Sequence, residues 1–481
     1  MTQRSIKKNS IYSILKTGSS ILFPLITFPY ISRVLLTENV GKINFGLSIV
    51  SYFNLIASLG ITTYAIRECS AVREDKDKLS NTASQIWSIN IITTIVAYVA
   101  LVATLICCRK LDNYRLLIII QSLSIVATTL GADWLNSAME DFKYITVRTF
   151  AFQFISLVLM FIFVQKPEDY MKYAVISLIS SAGANVVNMW YRRRYCTVKF
   201  TRDIEWQKHF VPIMYLFVMI LAQTIFNSVD STMLGLMHGD HEVGIYSTAH
   251  KITRIINETI GSILWVIMPR MSYYFAENKY DEGNKLLRKI LGFNFLLGLP
   301  CAVGTMILSK DIIRIVAGEA FVEATSVLQI LMIGFIFTLI GGNFLGNAIL
   351  LPSKNEKYYM IVCLAAAVVN VIGNYLSIPY FGANAAAGTT AVCNLTILIL
   401  LLFRVDKRIK IGGTVKVIVS PVVGCIAIFI VCYLCKRIDH LFVRFFVSVL
   451  GSIVVYGLIQ IICKNELVAE IMNTIKIRVG R

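Results

Sequence analysis

The chain has 481 residues, 56% hydrophobic and only 15% charged, with a formal net charge of +18. A soluble chain of this length carries nearer a quarter charged residues and splits into two or more domains, so the balance excludes an ordinary soluble fold. The basic residues fall mainly between apolar blocks and the mean hydropathy is +0.69, which assigns the surplus to membrane topology and not to nucleic-acid binding.

The apolar residues come in fourteen blocks of about 20 residues, the length that crosses about 30 Å of hydrocarbon. Open strands cannot do this, and no barrel-type alternation is present, so the blocks are read as helices. The first, near 10–33, follows Arg4, Lys7 and Lys8 much as a signal peptide would. No small-residue cleavage site follows it, and it is read as a span. It carries Lys16, Ser20, Pro24 and Thr27, and the proline predicts a bend. The second, near 42–66, opens on Val40-Gly41 and presents Asn44, Ser48, Ser51, Ser58 and Thr62 along one side. Blocks near 85–107, 114–133, 145–165 and 171–190 complete a first set of six.

A basic connection, Arg192-Arg193-Arg194 through Lys208, leads into the seventh block near 210–236. There Gln223, Asn227 and Asp230 stand at i, i+4 and i+7, a polar stripe ending in a carboxylate. The turn that follows holds His238 and His241, ligand-type side chains at which no metal site is expected. The eighth block, near 244–268, opens on Val243-Gly244 and carries Lys251, Arg254 and Glu258 on one face. Blocks near 289–309, 325–349, 357–379 and 384–403 complete a second set, with Asn343, Asn347, Asn370 and Asn374 as their polar faces. Two further blocks lie near 412–435 and 441–463, and Cys432 and Cys435 in the first of them are read as packing residues.

Both Val-Gly pairs are followed, 26 residues after the glycine, by an arginine at the end of the block, Arg67 and Arg270. The spacing and the matching hydropathy predict two six-helix halves, 1–200 and 201–407, with a helix pair and tail at 408–481. Repeats of this kind put a substrate site at their interface near mid-membrane. An even number of spans puts both termini on one side, and the Lys and Arg distribution makes that side cytoplasmic.

A charge at the bilayer centre costs roughly 3 kcal/mol and normally faces a protein interior or a water-filled cavity. Lys16, Asp230, Lys251, Arg254 and Glu258 therefore mark a polar cavity, with Gln223, Asn227, Asn44 and Ser48 as its polar lining. Each has a plainer reading. Serine and asparagine on membrane helices are often interhelical glue. Arg254 and Glu258 are spaced for an intrahelical ion pair, Asp230 for neutralising Lys251 or Arg254, and Lys16 for snorkelling. Arg33, Arg67 and Arg148 stand at block ends as interfacial anchors. In the cavity reading cations outnumber anions by one, which suits an anionic substrate such as a diphosphate. No P-loop, GxSxG or HExxH motif is present, and no enzyme activity or cofactor is expected.

Three stretches carry a family likeness. FPYISRVLLTENVGKINFGLSIVSYFNLIASLGITTYAIRE (28–68), VDSTMLGLMHGDHEVGIYSTAHKI (229–252) and NYLSIPYFGANAAAGTTAVCN (374–394) resemble the opening, the seventh-to-eighth helix junction and the eleventh-to-twelfth turn of bacterial polysaccharide flippases. These are the O-antigen and capsule repeat-unit transporters of the multidrug/oligosaccharidyl-lipid/polysaccharide exporter superfamily. One departure is Asn384-Ala385-Ala386, where the family pattern leads with glycine. The resemblance implies an all-α integral membrane fold of about fourteen transmembrane helices, two six-helix lobes around a central cavity plus two C-terminal helices. It implies an undecaprenyl-diphosphate-linked oligosaccharide as cargo, turned from the cytoplasmic to the outer face of the plasma membrane and handed to a polysaccharide polymerase. Lys16, Lys251 and Arg254 would then hold the diphosphate or acidic sugars. Asp230 would couple to H+ or Na+, with Glu258 balancing charge. The alternatives are a multidrug antiporter for organic cations, which calls for an acidic cavity, and a lipid II flippase of the same superfamily. A membrane polymerase or ligase calls for a sizeable external loop, whereas the longest here is near 310–324.

Overall fold

The computed structural model describes residues 6–406, 408–409, 414–470 and 472, all in helices, turns and irregular connections with no strand among them. The two chain ends, expected to be cytoplasmic, and the opening residues 412–413 of the thirteenth block lie outside the described residues. The helices are α1 (Ile6–Ser58), α2 (Ile61–Ala71), α3 (Lys76–Cys107), α4 (Arg115–Gly131), α5 (Trp134–Ala138), α6 (Phe142–Phe163), α7 (Tyr170–Leu178), α8 (Ala184–Tyr191) and α9 (Trp206–Met237). They continue with α10 (Asp240–Ala276), α11 (Tyr280–Phe293), α12 (Leu299–Ile307), α13 (Ser309–Val316), α14 (Ala324–Thr338), α15 (Glu356–Leu402), α16 (Thr414–Cys435) and α17 (Leu441–Ile462).

Among the described residues, nine helices are long and apolar enough to cross a membrane, or ten if the two limbs of α9, bent by 51°, form one span. This makes the chain a multi-pass membrane protein. The fourteen apolar blocks relate to that number in a physical way. One apolar helical stretch, Leu15–Ala71, is 57 residues long, about 85 Å of helix against about 30 Å of hydrocarbon. It is broken at Leu36 (φ 60°, ψ 178°), and the first two blocks fall on either side of that residue. Helix α15 is broken likewise at Gly382 (φ 53°, ψ −130°). The block near 244–268 falls on α10, which carries Lys251, Arg254 and Glu258 and is not among the nine.

The two limbs of α15 fold back on one another. Across the break the Cys393 thiol donates to the Ala366 carbonyl at 3.3 Å, and the Ser377 and Thr389 hydroxyls meet at 3.4 Å. Gly382 occupies backbone space that side-chain-bearing residues avoid. Gly382→Ala should therefore lower thermal stability by about 1–3 kcal/mol. Thermal unfolding of the purified protein checks this, and an unshifted transition would mean that the turn accepts a side chain.

The chain packs as two compact units, 1–244 and 245–481. In the first, Ile61, Tyr64 and Ala65 of α2 meet Leu79, Ala83 and Ile86 of α3 and Trp134, Leu135 and Ala138 of α5 in one buried cluster. The Tyr64 hydroxyl meets His209 Nδ1 at 2.7 Å, and His209 Nε2 meets Gln85 Oε1 at 2.9 Å. The irregular segment after Tyr195 lies along α3. The Thr197, Lys199 and Thr201 amides donate to the Ser80, Ser84 and Ser88 hydroxyls at 3.3, 3.1 and 2.8 Å. Tyr195 itself donates to Asp141 at 2.6 Å. Its phenol is pushed well above the usual range by burial and then by that carboxylate.

In the second unit a buried cluster forms where Leu287, Ile290 and Leu291 of α11 meet Phe344, Leu345 and Ile349 of a π-helical stretch, Leu339–Leu350, together with Leu401. A smaller cluster joins Leu308, Ile428 and Cys432, so Cys432 packs as an apolar residue.

Candidate functional site

The first unit encloses a polar cavity of about 480 Å³ whose walls include Lys16, Asn54, Asn90, Asp133, Trp134 and Arg148. Its geometry follows from three helix ends. Helix α1 stops at Ser58, and the chain turns through Leu59 and Gly60 at positive φ. This frees the Ala57 carbonyl, which Asn90 Nδ2 and Thr93 Oγ1 then satisfy at 2.9 and 2.6 Å. Helix α4 ends at Gly131, with Ala132 left-handed after it (φ 49°). That reversal puts Asp133 at the entrance to the short α5, where Asn136 Nδ2 donates to its Oδ1 at 3.0 Å.

Arg148 of α6 reaches the same carboxylate through Nη2 and stacks over the Tyr144 ring, 5.1 Å from its centroid. The expectation that Arg148 is an interfacial anchor does not hold, because only 6% of the residue is exposed. An arginine is buried this deeply only when its charge is paired, and Asp133 supplies the pairing. The pair does not exhaust the donors: Arg148 Nε and Nη1 and Trp134 Nε1 are buried without a partner among the described residues. Hydroxyl and amide side chains complete the wall, among them Ser58, Thr62, Thr129 and Asn185. Lys16 is therefore in a cavity with Asp133, which the sequence did not single out, and with Arg148, which it offered only as an anchor.

Of the other site residues of the first unit, Ser48 lies in a seam between α1 and α9. Ser48 is buried and accepts from the Thr232 hydroxyl at 2.9 Å; Ser51 donates to Ser228 at 2.9 Å, and Tyr52 meets Thr232 at 3.0 Å. Such hydroxyl ladders hold membrane helices together at under about 1 kcal/mol per bond. Asn44 turns back on its own helix, donating to the Val40 carbonyl at 2.9 Å. Asp230 is buried, whereas Gln223 and Asn227 are exposed.

In the second unit, Lys251 is half-buried on α10. Arg254 Nε donates to Glu258 Oε1 at 2.8 Å within one helical turn, both side chains largely exposed. The spacing reading of an intrahelical pair is what the geometry shows. Between them Asn257 accepts from Asn343 Nδ2 at 3.2 Å, and Asn343 lies on the π-helical stretch. Interruptions of that kind are frequent at functional positions.

Comparison with known proteins adds an independent line. Residues 6–275 match the family described as polysaccharide biosynthesis protein, and residues 213–455 match that described as lipid II flippase MurJ. The chain is 22% identical to the putative O-antigen transporter of Escherichia coli (strain K12), covering 84% of this chain and 98% of the relative. It is 24% identical to the capsular polysaccharide biosynthesis protein CapF of Staphylococcus aureus, covering 82% and 97%. Among solved structures, lipid II flippase MurJ in an inward closed conformation superposes with a TM-score of 0.76 at 16% identity, covering 95% of this chain and 99% of that one. A multidrug resistance MATE family transporter in an inward-facing conformation gives 0.58 at 14%, covering 86% and 97%. At these identities the structural likeness is one of fold.

Proposed function

Because the chain belongs to the polysaccharide biosynthesis protein family, we propose that it is a flippase, not an enzyme, that carries a lipid-linked oligosaccharide from the cytoplasmic to the outer face of a bacterial inner membrane. The carrier is undecaprenyl diphosphate, and the moved unit feeds O-antigen, capsule or exopolysaccharide assembly by a polymerase. The observation that carries this reading is the polar cavity at Lys16, Asp133 and Arg148, walled by hydroxyls and amides inside an apolar helical protein. A sugar head group needs such a wall to replace the hydrogen bonds it loses on leaving water.

Transport needs no covalent step, because differential affinity for two conformations is enough to move a cargo. Lys16, Lys251 and Arg254 are the cations for the diphosphate or acidic sugars, and Asp230 is the group for H+ or Na+ coupling, with Glu258 as charge balance. Both termini are then cytoplasmic. The cavity of the first unit holds two cations against one carboxylate, which favours an anionic cargo over the organic cations of a multidrug antiporter.

Proteoliposomes carrying an undecaprenyl-diphosphate-linked oligosaccharide, with an organic-cation dye tested in parallel, decide the matter. Protein-dependent movement of the lipid-linked sugar without dye transport is expected. Single substitution of Lys251 or Arg254 by alanine should cut that movement at least fivefold at unchanged membrane abundance. Dye transport without lipid movement would overturn the cargo class, and lipid II moved in preference to the oligosaccharide would favour the other flippase reading.

A further inference from the structure

We infer that the second unit carries a binding site for the headgroup of an anionic phospholipid, a pocket between α11, α16 and the residues after α17, with Lys285 and Lys464 as the cations that meet its phosphate. The inference goes beyond the flippase reading and does not depend on the cargo.

The pocket lies where three membrane spans reach the bilayer surface. The spans are Tyr280–Ile307, Ile418–Cys435 and Leu441–Ile462. They supply Lys285 near the start of the first, Val419 beside the first residue of the second, and Lys464 just past the end of the third. The volume between them is about 790 Å³. Its floor is fixed by buried side chains. The Ser420 hydroxyl donates to Gln460 Oε1 at 2.9 Å, Gln460 Nε2 to the Ser420 carbonyl at 2.9 Å, and Asn465 Nδ2 to Ser420 Oγ at 2.8 Å. This knot ties the start of α16 to the end of α17 and sets where Lys464 stands.

The charges do not cancel. Lys285, Arg288 and Lys289 stand at i, i+3 and i+4 on one face of α11. Arg288 donates to Glu466 through Nη2 at 2.6 Å, and Lys289 donates to Glu470 at 2.7 Å. Lys285 and Lys464 have no carboxylate partner among the described residues, so the lining keeps two cations in surplus. Both are exposed and within reach of a ligand. Basic residues scattered through loops orient a membrane protein without any ligand. These share a walled pocket between spans, the setting in which anionic headgroups are held.

The apolar side chains favour a lipid over a free anion. Val419 and Leu467 line the pocket. Val419 also opens a row of exposed side chains, Val422, Val423, Ile426 and Ile430, along one face of α16 toward mid-membrane. A phospholipid meets both demands, with its phosphate at the two lysines and an acyl chain on the row. A soluble phosphate would leave the row unused, and a zwitterionic headgroup would bring its own cation to the lysines.

Native mass spectrometry of the purified full-length chain in detergent tests the site, with phosphatidylglycerol and phosphatidylcholine of matched acyl chains added in equal amounts. A lysine beside an anionic headgroup is worth about fivefold in affinity, so the first lipid bound to wild-type protein should be phosphatidylglycerol by about 25-fold. Lys285→Gln or Lys464→Gln should each leave a preference of about fivefold, and the double variant none. The double variant Lys357→Gln with Lys436→Gln removes the same charge at exposed positions outside the pocket and should keep the wild-type preference. Equal retention of the two lipids by the wild type overturns the site. So does loss of preference in the control pair, which would make net charge responsible. Displacement of phosphatidylglycerol by glycerol 3-phosphate would assign a soluble anion, and displacement by an equal amount of undecaprenyl diphosphate would assign the carrier of the cargo; either overturns the phospholipid assignment. The flippase reading is decided separately, by movement of the lipid-linked sugar.

Discussion

Gly244→Ala is expected to destabilise the protein by about 3 kcal/mol, at the upper end of the usual cost of overpacking. A side-chain carbon on Gly244 would fall against the Thr37 carbonyl and Cα, and one on Gly41 against the Asp240 carbonyl and the Gly244 nitrogen. These neighbours are backbone atoms, which cannot rotate away as a side chain does. Nor can the segments drift apart cheaply, since the Tyr114 hydroxyl donates to Asp240 at 2.7 Å and the Thr37 hydroxyl meets His241 Nδ1 at 3.0 Å. Gly388→Ala is the control, because nothing lies within 4 Å of the added carbon; its expected effect is within about 1 kcal/mol of wild type, alanine being the better helix former. Chemical or thermal unfolding of the wild type and the two purified variants measures this, and a Gly244→Ala protein as stable as the control would show that the helices approach less closely.

The second large effect belongs to Asp311 of α13 and Arg444 of α17. Arg444 donates to Asp311 through Nε at 2.8 Å and Nη2 at 2.7 Å, and through Nη1 to the Ile438 carbonyl at 3.1 Å. The two side chains are 11% and 18% exposed. A fork of this kind fixes the approach of two helices, yet its net worth against an apolar pair is small because both charges were taken out of water. Removing one partner strands the other. Arg444→Met or Asp311→Leu alone should each cost about 3 kcal/mol, and the double substitution should recover most of that loss. A double variant as unstable as the sum of the singles would mean that each residue serves a partner of its own.

How much of this was legible in the sequence differs from residue to residue. Helical blocks were legible because lipid leaves the backbone few alternatives, and the Arg254–Glu258 pair because one helix turn fixes its geometry. The repeated Val-Gly pairs were visible as a spacing; their reason, two glycines packed against backbone, needs the tertiary contact. Arg148 was misread because its partner Asp133 lies before α5, on a different element, at no periodic offset. The three unpartnered donors of the cavity leave no mark in sequence at all, since burial decides which polar groups lack a partner. Leu36 shows the same limit: nothing in its chemistry announces a residue that breaks a long helix at positive φ.

The segment that lies along α3 has a consequence for how this chain can change in length. Successive serines on α3 are four residues apart, about 6.0 Å along the axis, while alternate amides of an extended chain are about 6.6 Å apart. The two rulers agree closely enough for the rungs at Ser80, Ser84 and Ser88 and drift by about 1.2 Å over that distance. Successive amides point to opposite sides, so inserting or deleting one residue ahead of Thr197 turns the next three amides away from their hydroxyls. Losing or gaining two residues restores the register. Length in this connector is thus quantised in pairs, and a helix studded with serines acts upon it as the edge of a sheet would.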